Sequence, residues 1–339
     1  MKKLFTTAAL ALAVASPVMA ATVDVASTFP KDMLYLGDSL KEFAKSVEAI
    51  TDGEITFKIH GAGELVPALE VFSAVSQGAV DAGFDWSGYW GGRVPISNLA
   101  GAMPFGPDPV VLADWVWEGG GREIIQSEYD KHNIKFLPCV IVPSEPAGWF
   151  RKEINSPEDF KGLKFRIGGL GGRVVAKLGA SPQLIPGGEV YVALDRGRID
   201  AAEFSLPAID KTLQLNKTAP YYYFPGWHQP SSINSVLINM NRWNKFSETE
   251  QGQLMEACRS TAFWSLTNGV QEQAETLEQL EAEGTEIRRF PDSVIDALRK
   301  ATEEVIAEES KKDKAFREAN ESLQVHVERA RRWNELQAR

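Results

Sequence analysis

Cysteine and histidine are scarce in this sequence, and after its first 20 residues no apolar run is long enough to cross a bilayer. Cys139 and Cys258 are the only cysteines, which excludes a domain built on a disulfide framework. An exporting compartment would allow one bridge between them, but their wide separation gives no reason to expect it. The four histidines, at 60, 132, 228 and 326, are scattered, and neither HExxH nor CxxC occurs, so a histidine-based catalytic or zinc site lacks support. GxGxxG and Walker sequences are also missing. The segment GGLGGR at 168–173 has the glycines without the spacing, which argues against nucleotide binding. There is no GxSxG elbow or SxxK pair. Positive charge is in deficit, with 36 Lys and Arg against 46 Asp and Glu. Nucleic acid and anionic membrane are therefore poor partners, and an anionic ligand needs a local cationic site.

The first 20 residues, MKKLFTTAALALAVASPVMA, combine two lysines, an apolar stretch and small residues at a cleavage position. This pattern predicts a secretory signal peptide. Losing Lys2 and Lys3 takes the formal charge from −10 to −12. The remaining length exceeds what one hydrophobic core usually serves.

The chain also repeats itself at an offset of 119 residues. LVPALEVFSAVSQGAVDA from Leu65 returns as LIPGGEVYVALDRGRIDA from Leu184, with eight identities and three aliphatic exchanges. In each copy a proline opens a helix, a glutamate sits in its first turn where the helix dipole favours an anion, and a glycine ends it before an apolar strand. Two copies of such a unit predict two α/β lobes with a cleft between them, a common place for a small solute.

Along the chain, TVDVASTFP reads as a first strand, DSLKEFAKSVEAITDG as an amphipathic helix with Leu40, Phe43, Val47 and Ile50 on its apolar face, and EITFKIH as a second strand. IKFLPCVIV at 134–142 is a buried strand, and the first crossing between lobes falls near it. SPEDFKGLKFRIGG gives a helix cap at Ser156 and a strand running into Gly168 and Gly169. After PYYYFPGWHQP, the strand SINSVLINMNRW is the return crossing. From Ser247 onward the composition is helical, with a break at Phe290–Pro291.

The segments AGELVPALE, GWFRKEI, FKGLKFRIGG, ALDRGRIDAAEF and APYYYFPGW together resemble the DctP-type solute-binding proteins of TRAP transporters, and PYYYFPGW resembles the subgroup that binds 2-oxo acids with a metal ion. The resemblance implies an α/β, two-lobed periplasmic binding protein fold with a helical C-terminal region. It implies a periplasmic receptor, monomer or homodimer, that hands a small organic acid anion to the membrane permease subunits. The expected organisation is a signal peptide at 1–20, a first lobe at 21–145 with a return segment at 235–270, a second lobe at 146–234, and a helical region at 271–339 packing across both.

Arg166 ends an apolar strand beside two glycines, a place from which a guanidinium can clamp a carboxylate with two parallel hydrogen bonds; the resemblance places the family's carboxylate-binding arginine in this motif. Glu203 follows the strand RIDAA, where a lone carboxylate needs a partner or a cation. The resemblance implies that Glu203 and the main chain of Phe204 bind the metal. Glu145 stands where the resemblance implies an amide, and Gln229 where it implies an acid, an exchange that keeps the number of carboxylates while moving one across the site. If Glu145 and Glu203 both line the cleft, a monocarboxylate and Arg166 leave two net negative charges, which favours Ca2+ over Na+. Trp86, Tyr89, Trp90, Trp149 and Trp227 are candidate walls that exclude water, with Tyr221, Tyr222 and Tyr223 divided between core and cleft. Asn234 and Asn239 are further polar candidates. The competing classes are an exported lyase or hydrolase using Glu145 and Glu203 as acid and base, and an adhesin.

Overall fold

The computed structural model describes residues 21–337; the expected signal peptide and residues 338 and 339 lie outside them. In chain order the strands are β1 (Ala21–Ser27), β2 (Ile55–His60), β3 (Ala82–Trp86), β4 (Ile134–Val142), β5 (Gly148–Phe150), β6 (Lys164–Arg166), β7 (Ser181–Gln183), β8 (Ala201–Ala202), β9 (Tyr221–Phe224), β10 (Ser232–Asn239) and β11 (Glu286–Arg289). They form two mixed sheets, ordered β2-β1-β3-β10-β4 and β11-β9-β5-β8-β6-β7.

Each sheet holds one strand antiparallel to both neighbours. In the first it is β10, between β3 and β4; in the second it is β5, between β8 and β9. The chain changes sheets through these strands, since β4 continues as β5 and β9 returns as β10. Because β4 pairs with β10 and β5 with β9, the two crossings run side by side as one antiparallel ribbon joining the sheets. Within the crossing the Glu145 N–H donates to the Gln229 carbonyl at 3.2 Å, and the Ala147 N–H to the Tyr223 carbonyl at 2.8 Å.

Both repeat copies fold as helix, glycine and strand. The first is the helix Val71–Gln77, Gly78 at φ 74° and β3; the second is the helix Gly187–Asp195, Gly197 at φ 65° and β8. Both glycines hold the left-handed conformation that a side chain would strain. Pro67 opens a short 3-10 turn, Ala68–Glu70, before the first copy's helix. The constant offset pairs Phe84 with Glu203 and Trp86 with Ser205; Trp86, Glu203 and Ser205 border the space between the sheets, while Phe84 is buried in the core.

The helix Leu36–Ile50 buries Leu40, Phe43 and Val47, while Ile50 at its end is exposed. Pro138 lies within β4, an edge strand, where the register with β10 slips opposite Asn234 and Val236; proline is tolerated at such irregularities because it lacks an N–H for the ladder. The expected all-helical tail is corrected at one point. Glu286–Arg289 adds in parallel to β9 as an edge strand. Four charged or aliphatic residues carry too little alternation to reveal a strand, and the exposed edge of β9 supplies the pairing. The surrounding helices are Glu248–Thr267, Val270–Ala282, Asp292–Lys312 and Lys314–Gln337. The first packs on β4, the second on the helix Pro207–Thr212, the third on the helix Gly169–Lys177, and the last on the helices Pro109–Trp117 and Gly121–Tyr129. No described helix is long and apolar enough to cross a membrane.

Contrary to the expectation of unpaired cysteines, Cys139 and Cys258 form a disulfide. The fold brings them together because the helix Glu248–Thr267 lies on β4, and both cysteines are fully buried. Sequence separation carried no information about that packing. A bridge closing so long a loop restricts the unfolded chain, so Cys139→Ala with Cys258→Ala is expected to cost about 2–4 kcal/mol. Denaturant unfolding with and without reductant checks this; coincident midpoints would show that the bridge carries no stability.

Candidate functional site

Arg166 ends β6 with its side chain buried. Its Nε donates to the Ile185 carbonyl at 3.0 Å, and its Nη1 donates to the Glu203 carbonyl at 2.6 Å and to Glu203 Oε1 at 2.8 Å. Nε and Nη1 thus bond protein groups, while Nη2 makes no such bond among the described residues. The Phe204 ring lies 5.2 Å from the guanidinium carbon. A Cβ on Gly187 would strike that ring, so glycine at the second repeat's helix start makes room for it.

Glu203 Oε1 also accepts from the Gly168 N–H at 3.2 Å. Burial alone would raise this carboxyl, but Arg166, followed by His228 and the Gly168 N–H, holds it below the ordinary carboxylate range. Glu145 lies in the opposite situation. Burial, and then the nearby Glu203 carboxylate, push its carboxyl well above the ordinary range. Its Oε1 accepts from the Ser205 hydroxyl at 2.9 Å, whereas its buried Oε2 has no partner. Ser205 is held in turn by Asp210, which accepts from the Ser205 N–H at 3.1 Å, the Trp149 indole at 2.9 Å and the Tyr222 hydroxyl at 3.1 Å. Burial raises Asp210 to about 7.

These groups converge on a cavity of about 20 Å³ walled by Trp86, Tyr89, Glu145, Arg166, Glu203, Phe204, Gln229 and Asn234, with Ser205, Phe29, Leu36 and Val142 completing it. The Trp86 indole donates to the Gly101 carbonyl at 3.1 Å, and its ring reaches from the first sheet to Gly168 and Gly169 of the second. Side chains at those glycines would crowd it, and Gly169 has φ 56°. Tyr89 meets Trp86 edge-on at 5.1 Å and also borders a larger outer cavity of about 660 Å³. It divides the inner space from the outer cleft.

Other candidates lie elsewhere. Trp90 points into the core, its indole donating to Asp85 and its ring 5.4 Å from Phe72. Trp227 packs on Phe105 at 5.9 Å, outside the cavity wall. Trp149 stacks on Tyr222 at 3.9 Å and acts through Asp210. None of Tyr221, Tyr222 and Tyr223 lines the cavity. Asn239 caps the following helix and donates to the Val75 carbonyl at 2.7 Å. Gln229 turns its amide nitrogen to the Ser232 hydroxyl at 3.1 Å. Its backbone pairing with Glu145 makes positions 145 and 229 neighbours, so the acid–amide exchange moves a carboxylate only from one strand of the ribbon to the other.

Two contributors, Ser205 and His228, went unrecognised in the sequence, and Asn234 was not told apart from Asn239. Asn234 lines the cavity with both amide atoms buried and unpartnered, which separates it from Asn239. Ser205 is the repeat mate of Trp86, a signal the constant offset contained. His228 places a ring nitrogen near the two glutamates, so that one ligand atom from each of Glu145, Glu203 and His228 lies within 4.8 Å of the others. Two buried carboxylates beside one arginine, with an acidic oxygen lacking any partner, fit a bound cation.

An inward-facing arginine, a cation-ready acid pair and a closed space between two α/β lobes define a receptor that captures a small anion. The chain belongs to the DctP family, the bacterial extracellular solute-binding proteins of family 7, whose model matches residues 26–313. It is 38% identical over 293 residues, 86% of this chain and 80% of the relative, to a monocarboxylate 2-oxoacid-binding periplasmic protein of Nostoc. A TRAP transporter solute-binding protein from Bordetella bronchiseptica, with copurified calcium and picolinate, superimposes with a TM-score of 0.91 at 33% identity, covering 94% of this chain and 95% of that one. One from Pseudoalteromonas atlantica with bound sodium and pyruvate gives 0.90 at 34% identity, covering 94% and 97%. Members of the family are solute-binding receptors.

Breaking a buried pair strands its partner charge, so Arg166→Met is expected to destabilise the fold by about 3–5 kcal/mol. Adding Glu203→Gln should recover part of that loss. Chemical denaturation of the two single variants and the double variant checks the coupling, and additive losses would show that the pair is not a unit.

Proposed function

We propose that this protein is the periplasmic receptor of a TRAP transporter and captures a 2-oxo monocarboxylate together with a calcium or sodium ion. The observation that carries the reading is the cavity of about 20 Å³ in which Arg166, Glu145 Oε2 and the Asn234 amide converge. The space holds little more than a water, so an acid of a few carbons needs less opening of it than a sugar acid. Nη2 of Arg166 takes the ligand carboxylate, and Asn234 supplies both a donor and an acceptor to its polar end. Glu203, Glu145, the Phe204 main chain and Gln229 would hold the ion, whose charge would offset the carboxylates of protein and ligand. Trp86 and Tyr89 exclude water from that contact and strengthen it.

Residues 21–145 with the return at 235–270 form one lobe and 146–234 the other, with the described residues from 271 onward bracing both. Closing these lobes completes the site, because Trp86 and Tyr89 come from the first and Arg166 and Glu203 from the second. The likeness to the pyruvate-binding protein and the 2-oxoacid-binding relative supports the solute class. The charge balance supports calcium over sodium, since a divalent ion cancels the two net negative charges left by the glutamates, the ligand and Arg166. The closed protein delivers its solute unchanged to the membrane permease.

Pyruvate with calcium is expected to raise the melting temperature of the mature, chelator-treated protein, and pyruvate with chelator to raise it less. Equal shifts under both conditions would remove the ion from the site. Recovery of chemically altered pyruvate after incubation would overturn the receptor reading. Glu145→Gln removes a buried carboxyl whose ionisation burial and Glu203 oppose and is expected to raise stability without ligand while weakening calcium roughly tenfold, about 1.4 kcal/mol; calorimetry checks the affinity.

A further inference from the structure

His228 belongs to the turn after Gly226 in the returning crossing and is only 4% exposed. Neither ring nitrogen has a hydrogen-bond partner among the described residues. A buried imidazole with both nitrogens unpaired is costly, since each polar atom has given up water for nothing. Its Nε2 faces Glu203 Oε2 at 3.6 Å, beyond a hydrogen bond, and this oxygen is not the one held by Arg166 and Gly168. Glu145 Oε2, also unpartnered, completes the group. Ligand atoms of Glu145, Glu203 and His228 that lie within 4.8 Å of one another, with the imidazole bonded to neither carboxylate, are an arrangement that one cation satisfies.

The donor set is mixed. Calcium and sodium seek oxygen, whereas neutral imidazole suits first-row divalent ions. We propose that His228 is a direct metal ligand through a ring nitrogen, and that the site therefore also takes a first-row divalent transition ion such as manganese or zinc. This rests on the cation reading of the site given above. The three protein donors leave coordination positions for the two oxygens of a 2-oxo acid. Hard ions use the carboxylates and ligand oxygens; a transition ion adds the His228 nitrogen. Packing fixes the ring, because the His228 Cβ lies against Gly171, where any side chain would press on it.

The test uses the mature, chelator-treated protein loaded with manganese, with pulsed electron paramagnetic resonance reading nitrogen coupled to the ion. The expected result is a directly bonded nitrogen signal in the natural protein and its loss in His228→Gln. Manganese affinity in that variant falls about tenfold, more than calcium affinity does. If His228→Gln does not fold, histidine labelled with nitrogen-15 tests the same bond in the unaltered chain, because the coupling pattern must change with the isotope. Manganese bound without nitrogen coupling, or calcium bound with no manganese binding, overturns the role of His228 and leaves calcium-assisted capture standing. Failure of both ions to bind removes both readings.

Discussion

The hydrogen bond from the Glu145 N–H to the Gln229 carbonyl ties together the two strands that carry the chain from one sheet to the other. The approach is close enough that a Cβ on Gly226 would collide with the Glu145 carbonyl oxygen. Glycine at 226 is thus a condition of the crossing. Because the crossing forms the floor of the cavity, Glu145, Gln229 and His228 take their positions from backbone pairing. Side chains placed in this way are held more rigidly than side chains on a free loop.

Arg166 does more than its motif suggests. Much of its bonding capacity goes to building the site, fixing Glu203 and the Ile185 carbonyl before any ligand arrives. The result is asymmetry between two nearby carboxylates. Glu203 is kept ionised by the guanidinium, while Glu145 lies against a hydroxyl and a negative neighbour and resists charge. A cation entering this space meets one ready carboxylate and one whose ionisation its own charge favours.

The repeat was the most legible part of the sequence because its glycines and its strand starts obey local rules that tertiary structure did not override. Position 166 was legible as a strand-end arginine, yet its bond partners were not, since Ile185 and Glu203 reach it through sheet pairing. The aromatic candidates show the limit clearly. Trp86 and Trp90 are four residues apart in the same run, and only the backbone turn between them sends one to the cavity and the other to Asp85. His228 looked isolated because its approach to Glu145 and Glu203 is produced by the ribbon and leaves no spacing along the chain. The strand at 286–289 was hidden for a related reason, as its pairing edge lies more than sixty residues earlier.

The Cys139–Cys258 bridge has a topological meaning beyond stability. Both cysteines belong to elements packed on the first sheet, and β5 through β9 lie between them in sequence. Most of the second sheet is therefore an insertion inside a covalent ring. A single backbone cut anywhere in that insertion opens the ring without releasing a fragment. Under oxidising conditions the two pieces stay tethered at β4 and remain able to fit back together.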